Sequence, residues 1–144
     1  MRRLLLVTLL LGLGGVLAEL LLLAHTGDTL QLVPIGLICV VLAVLGWFGV
    51  SRSRASLRAL QGVLALLLVS GMVGVWLHFG ANVEWERESN PSLGGFELYR
   101  AALRGALPVL APGAMVQLAL IGIAFTFRHP VLTGTVTHHS TEQH

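Results

Sequence analysis

The sequence predicts an all-α integral membrane protein: a four-transmembrane-helix antiparallel bundle with a short amphipathic helix in a long outer loop. Three observations predict it. Four apolar blocks, Leu4 to Ala24, Leu30 to Val50, Ala59 to Phe79 and Leu107 to Phe127, fill more than half of the 144 residues. One formal charge, Glu19, lies inside them, and the connections between them are uneven, two short and one long.

Each block matches the ~20 apolar residues a helix needs to cross a hydrocarbon core of ~30 Å. Hydrophobic residues make up 55% of the chain and charged residues 11%, with a mean hydropathy of +0.83, more apolar than a soluble domain requires. The blocks are continuous runs of Leu, Ala and Gly, unlike the alternating ~10-residue strands of a membrane barrel.

The first block follows Met1-Arg2-Arg3, the outline of a secretory signal, and Val16-Leu17-Ala18 offers small residues for cleavage. The apolar run instead continues through Leu20 to Ala24, so it is read as a retained span. Helical spacing puts Thr8, Gly12, Gly15 and Glu19 on one stripe, expected to be the packing face because small residues let helices approach closely in lipid. At ~1.5 Å per residue, Glu19 sits roughly 7 to 8 Å below the outer boundary.

The second block carries the single Cys39, expected to be a buried, inert thiol, and Trp47 near its inner end. Short connections at His25 to Thr29 and Ser51 to Arg58 predict antiparallel hairpins on either side of it. In the third block Ser70, Gly71, Gly74 and His78 share a small, polar face, expected to meet the stripe of the first helix and to bring His78 within reach of Glu19.

The long connection, 80–106, divides in two. Asn82 to Glu88 alternates acids with other residues, so an extended strand would put Glu84, Glu86 and Glu88 on one face as a cation or partner surface. The same pattern also suits a solvated acidic stretch, since no calcium-loop glycine accompanies it. Ser92 to Gly105 reads as an amphipathic helix, Phe96, Tyr99, Ala102 and Leu103 on one face and Glu97, Arg100, Ala101 and Arg104 towards another, packed on the bundle. The fourth block begins at Pro108 and Pro112, whose missing amide donors loosen its start, and holds Gln117 near its midpoint. The polar tail 128–144 is expected to be disordered, leaving 1–127 as a single membrane domain.

Orientation follows from the arginines, which carry all nine basic charges. With both termini cytoplasmic, Arg2, Arg3, Arg52, Arg54, Arg58 and Arg128 lie inside and only Arg87, Arg100 and Arg104 outside, as the positive-inside rule prefers. The expected location is a bacterial cytoplasmic membrane with 80–106 outside. Basic residues split among short loops point to anionic lipid rather than nucleic acid.

For function, Glu19, His78, Gln117, His25, Asp28 and Gln31 define a candidate polar pocket opening outward, a ligand or proton site. Glu84, Trp85, Glu86, Glu88, Phe96, Tyr99 and Arg100 define a candidate partner or cation surface. Bis-histidine haem ligation needs paired inward histidines and only His78 lies in a span, so no cofactor is expected. Three readings follow. The first is a non-catalytic subunit or accessory protein that binds a membrane partner, a lipid or a second copy through the outer loop and the pocket. The second is a proton-coupled transporter titrating Glu19. A four-span chain with one acid in its first helix is similar in outline to the small multidrug resistance exporters, and that resemblance implies proton exchange for cationic substrates. It departs from them in its long outer loop and in the Leu residues, rather than aromatics, around Glu19. The third is a metal site built from His25, His78 and outer-loop acids, without the local ligand spacing of HExxH.

Overall fold

The computed structural model describes residues 1–23, 29–105 and 107–133, and within them every regular element is helical. Helices α1 (Arg2–Leu22), α2 (Thr29–Ser51) and α3 (Arg54–Ser89) are each long and apolar enough to cross a membrane. Then come α4 (Gly95–Ala102), α5 (Gly113–Thr126) and the single turn α6 (Pro130–Thr133). The chain is therefore an all-helical integral membrane protein by the length and composition of its helices.

α1, α2, α3 and α5 form a ring in which α1 touches α2 and α5, α3 touches the same two, and α1 and α3 face each other only across the diagonal. The ring is filled by stripes at three- and four-residue steps: Ile38, Val41, Leu45 and Phe48 on α2, and Leu57, Leu60, Leu64 and Leu67 on α3. Leu9 and Leu13 of α1 and Met115, Leu118, Ala119 and Phe125 of α5 complete it. A 3,4 alternation keeps one seam facing inward along the bundle. The outer faces are apolar too, with Leu11, Leu22, Val50 and Trp76 all exposed. In water such a surface would aggregate, whereas in lipid it is the expected solvent-facing side.

The turn between α2 and α3 is only Arg52 and Ser53. Ser53 caps α3, its hydroxyl accepting the Ser56 amide at 3.1 Å, and satisfies a donor that the first turn would otherwise leave open. Ser51 and Ser53 both converge on the buried Ser56 hydroxyl.

Three expectations are corrected. The third helix does not stop near Phe79 but continues to Ser89, ~54 Å in all, so it projects well past a ~30 Å hydrocarbon layer. Nothing breaks it there: Gly80 is the only glycine between Phe79 and Ser89, and Pro91 is the first proline. The fourth helix does not begin at Leu107 but at Gly113, because a helix from Leu107 would need an amide bond to the Pro108 carbonyl that Pro112 cannot donate. Its 14 residues span ~21 Å, with the turns of 107–112 ahead of it. Cys39 is exposed on the outside of α2 rather than buried, since the inward seam runs through its neighbours Ile38 and Val41.

The domain also extends past residue 127. Arg54 donates from Nε to the carbonyl of Val131 at 3.2 Å and α6 packs on α3, so 128–133 belong to the bundle. The rest of the predicted tail, from 134 on, lies outside the described residues, as does most of the first hairpin loop, 24–28.

Candidate functional site

The far end of α3 is the structural centre of the region 79–107 among the described residues. Val83 on α3 receives Leu98 and Ala102 of α4 in a small second core, flanked by Phe79 and Leu93, and Tyr99 stacks on Phe79 with ring centroids 6.1 Å apart. Leu98 and Ala102 are one helical turn apart, so a single stripe of α4 meets α3. Of the face expected to pack inward, Ala102 and Tyr99 meet α3 while Phe96 and Leu103 do not. Phe96 is 79% exposed and Leu103 60%, because Phe96 lies ~200° around the helix from Leu98. The acids of 82–88 are likewise helical rather than extended. At ~100° per residue Glu84 and Glu88 share a side while Glu86 turns away. Glu86 accepts from the Asn90 side chain at 3.1 Å and joins Glu97, Arg100 and Arg104 in lining a cleft of about 410 Å³ between α3 and α4. Trp85 is exposed on α3.

Asn82, one turn before Glu86, holds the region together. It is 1% exposed, and its amide is fully engaged: Nδ2 donates to the carbonyls of Ala102 at 2.9 Å and Leu107 at 2.8 Å, and Oδ1 accepts the Leu107 amide at 3.0 Å. The side chain thus ends α4 and fixes where the chain turns back towards the bundle. Gly105 packs against it so closely that a Cβ there would lie 2.5 Å from Asn82 Cγ.

The returning segment then runs down the face of α3 that carries His78, Gly74 and Gly71. His78 Nδ1 lies 3.2 Å from the carbonyl of Pro108, and because a carbonyl only accepts, that nitrogen carries the proton. A Cβ on Gly74 would come within 2.8 Å of Pro112 Cβ, and one on Gly71 within 2.8 Å of Val116 and 3.0 Å of its backbone nitrogen. Backbone outside a helix lacks the helix's own partners for its amides and carbonyls. Here Asn82, His78 and the turn bonds from Ala111 to Pro108 and from Gly113 to Leu110 provide them.

The predicted small face of α3 is therefore a packing face, but its partner is the start of α5 and not α1. The expected approach of His78 to Glu19 is not found: α1 and α3 are diagonal in the ring, and Glu19 is exposed on α1 with Thr8 and Gly15, while Gly12 alone of that stripe is packed, against Leu118. Gln117 is exposed in the second turn of α5, and Gln31 is half-buried in the first turn of α2. His25 and Asp28 lie outside the described residues. Among the described residues no three His, Cys, Asp or Glu side chains are grouped as a metal site would need.

Sequence reading missed Asn82 as anything but a member of the acidic stretch. Its spacing of four from His78 and Glu86, continuing the line from Gly71 and Gly74, is the signal that placed it on the same face. The opposite end of the bundle was also missed as a site. There Arg2 donates from Nη2 to the carbonyls of Phe127 and Arg128 at 3.2 and 2.6 Å, and His129 lies edge-on between Phe48 and Phe125, at 5.2 and 5.8 Å between centroids. Burial, then the charges of Arg2 and Arg52, hold the His129 imidazole below its ordinary 6.5. Arg52 and Arg128 both adopt positive φ, 47° and 46°.

No family model, no curated protein and no solved structure matches this chain.

Proposed function

We propose that this protein is a non-catalytic membrane subunit that docks a membrane protein partner through the outer platform formed by the end of α3 and by α4. One observation carries the reading. α4 spends Leu98 and Ala102 on α3 and leaves Phe96 and Leu103 exposed on a helix whose Glu97, Arg100 and Arg104 line a cleft with Glu86, and Trp85 is exposed on α3. Exposed apolar side chains rimmed by charges of both signs are the make-up of a protein contact surface. In this reading the chain crosses a bacterial cytoplasmic membrane four times, the turns of 107–112 completing the crossing that α5 makes. Both termini are cytoplasmic, and the bundle holds the platform outside. Purification in mild detergent with mass spectrometry of co-purifying chains tests it. A stoichiometric partner lost in Phe96→Ser with Leu103→Ser, while the bundle keeps its thermal stability, is the expected result. A chain that purifies alone from its native membrane removes the reading.

A second reading takes its support from Glu19, a carboxylate left on the outer face of α1, where an ionisable group is costly unless something covers it. A second copy on that face would pair two Glu19 side chains at one interface, as a proton-coupled transporter of dimeric form requires. Proteoliposome flux that is pH-dependent and absent in Glu19→Gln supports it; flux indifferent to that substitution does not.

A further inference from the structure

We infer that the arginine end of the bundle holds one anionic phospholipid, its phosphate on Arg2, Arg3 and Arg52 and an acyl chain in the gap between α1 and α2. A cavity of about 580 Å³ lies there, within the ~300–1,000 Å³ of small-molecule sites. Its rim carries the three arginines and its floor is Leu6, Leu10, Leu42 and Leu45.

Three observations converge on that ligand. Arg2 is held in place by two backbone carbonyls on its Nη2, and its Nη1 is buried with no hydrogen-bond partner among the described residues. That anchoring keeps the Arg2 guanidinium at the cavity rim with Arg3 and Arg52, a cluster of positive charge complementary to a phosphate. Next, Gly46 and Gly49 line the cavity where side chains would otherwise close the space between α1 and α2, and a Cβ at either would meet nothing within 4 Å. The opening is on the outer face of the two helices, where Leu10, Gly46 and Gly49 are exposed, so it faces lipid. Last, the floor reaches two helical turns into α1 and α2. A free anion would leave that apolar surface unused, whereas a lipid places its charge at the helix ends and its chain along the leucines. The field that Arg2 and Arg52 exert on His129, also at the rim, shows the same excess of positive charge.

The site is at the opposite end from the docking platform, so platform substitutions leave it intact and the two proposals fail separately. The test is native mass spectrometry of the full chain in mild detergent, titrated with phosphatidylglycerol and with phosphatidylcholine of the same acyl chains, with inorganic phosphate as competitor. One phosphatidylglycerol held in preference to phosphatidylcholine is expected, with phosphate unable to displace it. Arg52→Gln should weaken it roughly fivefold, the effect of removing one arginine beside an anionic headgroup. Gly46→Leu keeps every charge, fills the cavity and should abolish one-to-one retention. Equal binding of the two lipids, displacement by phosphate alone, or undiminished retention in Gly46→Leu would each overturn the assignment. Arg52→Gln adds no bulk to the cavity, so the charge arm stands even where the filled variant does not fold.

Discussion

The side-chain amide of Asn82 and the backbone of Leu107 form a closed pair of hydrogen bonds, 2.8 and 3.0 Å long, one in each direction. The pairing imitates a backbone ladder at the point where the chain leaves α4 and turns into the bundle. A third bond, to the Ala102 carbonyl, leaves the buried amide nitrogen with a partner for each of its protons.

Asn82→Ala should therefore strand the Leu107 amide and two carbonyls, and the loss of a partner for a buried backbone group costs about 1–3 kcal/mol. Denaturant titration in detergent reads the loss. Amide exchange should accelerate first at Leu107, whose amide Asn82 accepts.

The glycines divide by what stands opposite them. Gly71→Ala pushes a methyl against the Val116 backbone and the Pro112 carbonyl, which cannot yield as a side-chain tip can, so a destabilisation of about 1–3 kcal/mol is expected. Gly12→Ala and Gly122→Ala meet the mobile ends of Leu118 and Leu64 and should cost less. Gly62 faces open space, and Gly62→Ala should be neutral or gain up to ~1 kcal/mol in helix propensity. Thermal unfolding of the four variants gives the ranking, and a Gly71→Ala protein as stable as the parent would break it.

His129 makes stability depend on pH in a stated direction. Its folded form resists protonation, through burial and then Arg2 and Arg52, so the unfolded chain takes up a proton first as pH falls. The contribution of the neutral ring is complete above about 6.5 and declines as pH drops from there through the lower folded value. His129→Phe keeps a ring between Phe48 and Phe125 and removes the proton. The melting temperature of the parent should fall more steeply than that of the variant between about pH 7 and pH 5; parallel curves would refute the linkage.

Arg128 holds φ at 46°, a left-handed conformation that costs a side-chain-bearing residue roughly 1–2 kcal/mol. The bond from Arg2 goes to its carbonyl, which glycine retains. Arg128→Gly is expected to raise unfolding stability by ~1 kcal/mol while the backbone turn persists, measurable as an upward shift of the melting temperature. A decrease would mean that the guanidinium, which lies 5.4 Å from the Phe127 ring centroid, is worth more than the strain.

The membrane character, the three long helices and the apolar run of α5 were legible because they depend on composition and run length, which no fold can alter. Pro108 and Pro112 also announced a disturbed start to the last helix, although only the structure showed that 107–112 are turns. Which faces met was less legible. The small-residue stripes of α1 and α3 each looked like a packing face, and sequence spacing cannot say which of three neighbours a stripe will meet.

By itself, then, the sequence determined that this chain is helical, that lipid rather than water bathes its surface, and that its arginines concentrate in the segments flanking particular helices. A run of ~20 apolar residues has few other stable states, and each of these properties is local. Only the tertiary structure decided that α1 and α3 stand diagonally, that Glu19 faces outward while His78 serves the Pro108 carbonyl, and that Asn82 ties α4 to the returning chain. It also decided that Arg2, Arg3 and Arg52 share one cavity. Those outcomes depend on the order of helices around the ring, which is set by complementarity between whole surfaces: Gly71 and Gly74 leave room for the Pro112 segment to lie directly on α3.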